Sequence, residues 1–280
     1  MIDKELKKFI KESLNEDLKD GDHTSLACID INVINSAQLI IKEDGIIAGI
    51  KLAILIFGYV DKSLKIKTFL NDGDTVKKGD IALIVKGNSR SILLAERLVL
   101  NCMQEMSAIA SKTRHICNLI STTSTKILDT RKTTPLNRMI QKWAVKIGGG
   151  YNHRYGLYDM IMIKDNHIDF SNGITNAIQK TKNYLINNNL KLDVIVETRN
   201  IHEVNEVLKE GGIKRILLDN FNFKDTKEAV RIIKNKFEIE SSGGITEDNI
   251  LEYAKCGVDY ISLGSLTHTI KNFDLSLKAI

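Results

Sequence analysis

Between Asp129 and His167 the chain carries Arg131, Lys132, Arg138, His153, Arg154 and Lys164, a density of cationic donors that suits a ligand with several anionic oxygens. Arginine offers a planar fork that matches carboxylate or phosphate in two parallel bonds, and lysine a compact point charge for a phosphate oxygen. Asp129, Asp159 and Asp165 are interleaved with these cations, so a surface salt network is the competing reading. For Arg138, Lys142 and Lys146, spaced along one amphipathic helix, a solvated network is the better account. Arg131, Lys132 and Lys164 stand apart, because each closely follows a short apolar run. His153 and Arg154 follow Gly148-Gly149-Gly150, whose conformational freedom lets backbone come close to a ligand, although a lone histidine is more often structural.

Two carboxylates, Glu197 and Asp219, also end apolar runs. Such a pair can hold Mg²⁺, with waters and phosphate oxygens completing the shell, or it can partner the nearby lysines, and the two roles are compatible. Further on, Ser241-Ser242-Gly243-Gly244 and Gly264-Ser265 have the character of loops that bind phosphate through backbone N–H groups. Thr246 reads as the cap of the helix that follows. A Ser-Gly-Gly tripeptide alone is a weak signal, but the combination describes a phosphorylated, Mg²⁺-bound substrate beside an acidic one.

The elements that must position these groups recur in one pattern. Lys126 to Asp129 leads into Thr130-Arg131-Lys132, Met160 to Ile163 into Lys164, Val194 to Val196 into Glu197, and Ile216 to Leu218 into Asp219. Phe237 to Glu240 and Tyr260 to Leu263 open into the two Ser/Gly loops. As parallel strands, these runs bring their carboxyl ends to one rim, where residues distant in sequence meet in one pocket. Helical spacing separates them, near 136–147, 173–187, 202–209, 225–236 and 247–256, which predicts right-handed crossovers. Six strands are evident rather than eight. The expected fold is therefore an α/β, TIM-like (β/α) barrel over residues 111–269, either incomplete or with two strands concealed.

Residues 1–110 read as an α+β amino-terminal domain, joined by the tail 270–280. A helix over 3–14 is broken at Gly21-Asp22-His23-Thr24-Ser25 by turn and capping residues. Strands over 37–43 and 46–49 flank Asp44-Gly45, a hairpin signal. A helix over 50–59 and strands over 64–70 and 81–86 follow. From 89 to 121 the spacing is helical and strongly apolar, with Ile92, Leu98, Val99, Met103 and Met106, as in a buried helix or a dimer seam.

With 280 residues, 43% apolar and 27% charged, the composition is that of an ordinary globular protein. The net charge of +5 is modest and its lysines are mixed with acidic residues, which argues against a nucleic-acid partner. No run is long and apolar enough to span a bilayer. Residues 1–16 alternate in charge with no apolar core, so neither a signal nor a transit sequence is visible and a cytoplasmic location is expected. Cys28, Cys102, Cys117 and Cys256 lack metal or redox spacing and read as reduced core thiols.

These motifs together resemble the quinolinate phosphoribosyltransferase family, the carboxylating nicotinate-nucleotide pyrophosphorylases of NAD biosynthesis. The blocks Asp129-Thr130-Arg131-Lys132-Thr133-Thr134-Pro135 and Ile163-Lys164-Asp165-Asn166-His167 are long and specific. Gly148-Gly149-Gly150-Tyr151-Asn152-His153-Arg154, Leu218-Asp219-Asn220 and Ser242-Gly243-Gly244-Ile245 extend the similarity, as does Ala95-Glu96-Arg97 with Asn101. Val196-Glu197-Thr198 stands where a more acidic run is common.

The resemblance implies that quinolinate and phosphoribosyl pyrophosphate give nicotinate mononucleotide, CO₂ and pyrophosphate, with Mg²⁺ and no organic cofactor. It implies that Arg131, His153, Arg154 and Lys164 hold the quinolinate carboxylates, with Arg97 reaching in from the partner of a homodimer. Lys132, Glu197 and Asp219 would be the catalytic residues, handling pyrophosphate and ribose, with Glu197 and Asp219 as metal ligands. The 5′-phosphate would rest on Ser242, Gly243, Gly244 and Gly264, near His268. The related molybdenum-utilisation pyrophosphorylases are one alternative, although their acceptor would not require all of these cations. A ligand-binding homologue without turnover is another, and it could dispense with Glu197 and Asp219.

Overall fold

A computed structural model describes residues 2–280, with side chains from Lys4 onward. In chain order its elements are α1 (Ile2–Leu18), α2 (His23–Cys28), β1 (Ile34–Ile41), β2 (Gly45–Ile46), α3 (Ile50–Val60), β3 (Lys65–Thr68), β4 (Thr75–Val76), β5 (Ile81–Asn88) and the long α4 (Ser89–Leu119). Strand and helix then alternate through β6 (Lys126–Leu128), α5 (Arg138–Ile147), β7 (Ile161–Ile163), α6 (Asp165–Phe170), α7 (Ile174–Asn187), β8 (Val194–Thr198) and α8 (Ile201–Glu210). The chain ends with β9 (Arg215–Asp219), α9 (Phe223–Ile233), β10 (Glu238–Ser242), α10 (Ile250–Lys255), β11 (Tyr260–Ser262), α11 (Ser265–His268) and β12 (Leu275–Ala279). Two units divide it: residues 1–112, 139–148 and 270–280 in one, and 113–138 and 149–269 in the other.

The first unit is built on an antiparallel sheet of order β12-β1-β5-β3. Alternating burial along β1 turns Ala37, Leu39 and Ile41 inward, and the apolar α3 adds Leu52, Ala53, Ile56 and Phe57, all without exposure. Each of the leucines, isoleucines and the phenylalanine contributes roughly 1.5–3 kcal/mol on leaving water. The tail closes the sheet, with β12 paired to β1 from Ala37↔Ala279 to Ile41↔Leu275.

The hairpin expected at Asp44-Gly45 does not form. β1 pairs with β5 and β12, while β2 pairs with β4. The Asp44 carboxylate instead accepts from the Lys78 amide at 2.8 Å, and Ile46 N is taken by Ser111 Oγ at 2.8 Å. Gly45 is there for space: a Cβ would lie 2.6 Å from both Phe273 and Ser111. Residues 139–148, assigned to the barrel from sequence, group with this first unit, where Gln141 Nε2 donates to Glu105 Oε1 at 2.6 Å. Lys142 on the same helix is 2% exposed, not solvated as the amphipathic spacing suggested. The cysteines also divide, since Cys102 and Cys256 are buried but Cys28 is exposed.

The second unit holds a six-stranded parallel sheet of order β6-β11-β10-β9-β8-β7. The first strand therefore pairs with the last, from Tyr260↔Lys126 to Ser262↔Leu128, and the sheet curls into a TIM-like barrel left open between β6 and β7. Neither concealed strand exists among the described residues; a single parallel bridge, Leu128↔Tyr151, extends the β6 edge. Helices α7 to α10 connect successive strands from β7 to β11, and β8 is buried along its whole length. Two short helices escape sequence patterning, α6 directly after Lys164 and α11 directly after Gly264. Thr246 does not cap α10. The cap is Asn249, whose Oδ1 accepts from Thr246 N at 2.8 Å.

Candidate active site

In parallel strands the side chains at i and i+2 share a face, and here that rule sets the inner surface of the second unit. Lys164 follows Met162 two residues on, Asp219 follows Leu217, and Ser242 follows Glu240; all six line one cavity of about 810 Å³. Arg131, Lys132, His153 and Arg154 line it too, as do Glu197, Gly243, Gly244, Gly264 and His268. Every predicted site residue except Arg97 is thus brought to one place. Arg97 lies exposed on α4 in the first unit.

The cations occupy the β6 and β7 ends. Arg131 and Lys132 have no ion pair among the described residues, whereas Arg199, Arg215 and Arg231 of the same unit are each paired with carboxylates. Lys132 is held by its backbone: its amide donates to Thr130 Oγ1 at 3.0 Å and its carbonyl accepts from Thr267 Oγ1 at 2.8 Å. Gly264 leaves room for it, since a Cβ there would stand 2.7 Å from Lys132 Cδ and 3.0 Å from the His268 ring. Arg154 is 8% exposed, and burial, then the neighbouring charge of Arg131, pulls its pKa below the ordinary arginine value. Cations placed close enough to repel one another are stabilised by a bound anion.

The loop carrying His153 and Arg154 is pinned from below by Asp129, which is fully buried. Its Oδ1 accepts from His153 N at 2.8 Å and its Oδ2 from Asn152 Nδ2 at 2.5 Å. His153 Nδ1 accepts from Arg154 N at 2.6 Å, so the ring proton belongs on Nε2, which faces Glu240 Oε2 at 3.3 Å. Nδ1 is therefore engaged by backbone, and Nε2 lies at ion-pair distance from Glu240 Oε2 rather than in an aligned hydrogen bond to it, although the ring lines the cavity.

The carboxylates occupy the β8 and β9 ends. Glu197 Oε2 accepts from Lys164 Nζ at 2.8 Å, and Asp219 Oδ2 accepts from Asn220 Nδ2 at 2.8 Å. No group of three His, Cys, Asp or Glu side chains that could hold a metal exists among the described residues. The donor set suits a hard cation that keeps water and substrate oxygens in its shell, as Mg²⁺ does when it arrives with a polyphosphate.

At the β10 and β11 ends the backbone is shaped for close approach. Gly243 and Gly244 have φ +84° and +62°, a region costly for other residues. Asn220, itself at φ +56°, donates its amide to Ser242 O at 2.8 Å, and a Cβ on Gly243 would collide with the Asn220 side-chain amide. Asn220 therefore links Asp219 to the glycine loop.

Glu240 is the residue that motif reading passed over. It is fully buried, lines the cavity and receives Arg215 Nη1 at 2.8 Å. Burial pushes its carboxyl upward, but the His153 ring, the Ser262 hydroxyl and the Arg215 guanidinium together hold it below the ordinary glutamate range. The signal for it was present: Ser242 is two residues on, so period-2 spacing puts Glu240 on the same inward face.

The family model described as quinolinate phosphoribosyl transferase, N-terminal domain, matches residues 22–107, and the corresponding C-terminal domain matches residues 109–278. The chain is 45% identical over 289 residues to "Quinolinate phosphoribosyltransferase [decarboxylating] 2b, mitochondrial" of Nicotiana tabacum, covering 98% of this chain and 82% of that protein. It is 36% identical to the "Probable nicotinate-nucleotide pyrophosphorylase [carboxylating]" of Bacillus subtilis, over 98% and 93% of the two chains. The solved nicotinate-nucleotide pyrophosphorylase from Francisella tularensis superposes with a TM-score of 0.91 at 39% identity, covering 99% and 96%. That from Ehrlichia chaffeensis superposes at 0.90 with 36% identity, covering 98% of each chain.

Proposed function

The chain belongs to the quinolinate phosphoribosyltransferase family, and we propose that its cavity divides that family's reaction between the cations of β6 and β7 and the carboxylates and glycines of β8 to β11. The protein is a pentosyltransferase that converts quinolinate and phosphoribosyl pyrophosphate into nicotinate mononucleotide, CO₂ and pyrophosphate. The observation that carries the division is the pair Arg131 and Lys132, lining the cavity beside the buried Arg154 without carboxylate partners among the described residues.

Quinolinate brings two carboxylates. Arg131 and Arg154 provide forks for them, with Lys164 beside. His153 contributes chiefly by shape and by holding Arg154 N. Lys132, at the rim between Thr267 and Gly264, is placed to neutralise charge gathering on pyrophosphate as the ribose C1–O bond breaks. The quinolinate nitrogen then forms the new bond to C1. The ring, now cationic, accepts the electron pair left when the C2 carboxylate departs as CO₂, and C2 takes a proton. Fixed charges stabilise that separation with little reorganisation, the largest single term in many enzymes.

Glu197 and Asp219 would hold Mg²⁺ together with substrate oxygens and water. When bound, the ion would neutralise the leaving pyrophosphate. Ser242, Gly243, Gly244 and Gly264 would receive the 5′-phosphate through backbone N–H groups and one hydroxyl, near His268. Arg97 would complete the neighbouring protomer's site in a homodimer; its exposure on α4 supports that reading. No described helix is long and apolar enough to cross a membrane. The free cysteines are compatible with a reducing compartment, and a cytoplasmic location is the proposal, although the tobacco relative's name carries "mitochondrial".

The test is release of CO₂ and pyrophosphate by the purified protein given quinolinate, phosphoribosyl pyrophosphate and Mg²⁺, with nicotinate as control acceptor. Release with quinolinate alone supports the whole assignment. Equal pyrophosphate release with nicotinate, which has no C2 carboxylate to lose as CO₂, would remove the dicarboxylate role of Arg131 and Arg154.

A further inference from the structure

We infer that Glu240 is a positioning residue for the acceptor site, acting through His153 to fix the backbone of Arg154. The geometry is a chain of contacts. Arg215 on β9 donates from Nη1 to Glu240 Oε2 at 2.8 Å, the same oxygen faces His153 Nε2 at 3.3 Å, and His153 Nδ1 accepts from Arg154 N at 2.6 Å. A neutral imidazole carries one N–H and one acceptor nitrogen, and the partner of one decides the state of the other. The negative charge of a carboxylate 3.3 Å from Nε2 favours the proton there by electrostatic attraction, without an aligned hydrogen bond, and that leaves Nδ1 able to accept the Arg154 amide.

Each link is itself held. Glu240 is fully buried and Arg215 is 7% exposed. Arg215 also donates to Glu238 Oε2 at 2.8 Å and stacks over the Tyr260 ring at 3.9 Å. A charge pair this deep is costly to assemble and costly to break on one side, so its position sets the height of the imidazole. The imidazole and Asp129 then grip successive amides, Arg154 N and His153 N. Without Glu240, the ring is free to adopt the other tautomer, in which Nδ1–H opposes Arg154 N–H. The cation would then lose its fixed position over the cavity, and displacements of about 1 Å in a reacting complex cost up to about a hundredfold.

The inference rests on the reading of Arg154 as an acceptor-binding cation, and two measurements separate the failures. In uniformly ¹⁵N-labelled wild-type protein, the His153 ring shifts report the tautomer, with His153→Gln assigning the signal. Protonated Nε2 is expected, and protonated Nδ1 overturns the inference whether or not the variants fold. In steady-state kinetics, Glu240→Gln keeps a polar oxygen opposite Nε2 without the charge, and Glu240→Ala removes both. Glu240→Ala is expected to raise KM for quinolinate roughly tenfold or more, leave KM for phosphoribosyl pyrophosphate within about twofold, and be partly rescued in Glu240→Gln. Equal changes in both KM values, or none, would assign Glu240 to general stability. A wild-type protein that shows the expected tautomer but no turnover with quinolinate would reject the acceptor reading instead.

Discussion

Lys164 Nζ donates to Glu197 Oε2 at 2.8 Å, joining the side of the cavity proposed for quinolinate to the side proposed for magnesium and pyrophosphate. The Glu197 side chain is 9% exposed and that of Lys164 45%, so the carboxylate depends on the amine more than the reverse. Removing the amine leaves a nearly buried anion with less compensation. Lys164→Met is therefore expected to raise KM for both substrates, each about tenfold for the loss of one charge-assisted bond of roughly 1.5 kcal/mol. Initial rates with each substrate varied in turn check this. A rise confined to quinolinate would mean that the ion pair is incidental to the second substrate.

Gly243 and Asn220 make a second tight relationship. Gly243 has φ +84°, and any Cβ would meet the Asn220 amide, which itself reaches Asp219. Gly243→Ala thus strains the backbone by roughly 1–3 kcal/mol and displaces Asn220. The expected result is a higher KM for phosphoribosyl pyrophosphate with KM for quinolinate nearly unchanged, together with a lowered melting midpoint. A variant with normal kinetics and normal melting would show that the loop is not the phosphate cradle.

How far the sequence carried the fold depends on the kind of signal. The six parallel strands announced themselves as apolar runs ending in polar residues, and all six lie where the runs do, within a residue or two at each end. The open barrel follows from their number. The Asp44-Gly45 turn misled because a local dipeptide preference lost to long-range partners, Lys78 N and Ser111 Oγ. Lys142 misled because helical spacing marks a polar face without saying what covers it, and here it is buried. The rim residues were legible as motif residues, whereas Glu240 and Arg215 were not. Charges facing the interior of a barrel leave no pattern except the period-2 offset from a rim residue, and that offset gains meaning only when the rim is known.

Lys132 and Arg97 test the proposed sharing of a site between protomers. Lys132 is exposed and makes its contacts through backbone, so Lys132→Ala should fold with stability within about 0.5 kcal/mol of wild type. Its kcat should fall by about 10³-fold, the scale of a lost donor to developing negative charge. Arg97→Ala should likewise fold and bind quinolinate poorly. If protomers exchange and each site draws on both chains, mixing the two inactive variants restores a fraction of activity, because every mixed dimer carries one intact site and one doubly deficient one. Activity that stays at the sum of the two variants would assign Arg97 no role across the interface.

Glu240 also makes a prediction about acid. Its carboxyl is held below the ordinary glutamate range, against burial, by His153, Ser262 and Arg215. A folded-state pKa below the unfolded value of about 4.3 means that the unfolded chain binds the proton more readily. The ionised group therefore adds stability that is fully present well above that value and is lost as the pH falls through the folded pKa. Glu240→Gln cannot titrate, so the difference in unfolding free energy between wild type and variant should shrink as the pH falls below about 4.3. Carboxylates that share no partner with Glu240 are common to the two proteins and cancel. Urea unfolding of both at a series of pH values measures the difference directly. A gap that stays constant into the acid range would place the buried charge elsewhere, on Glu238 or Asp129, and would leave Arg215 paired chiefly with Glu238 Oε2, 2.8 Å from its Nη2.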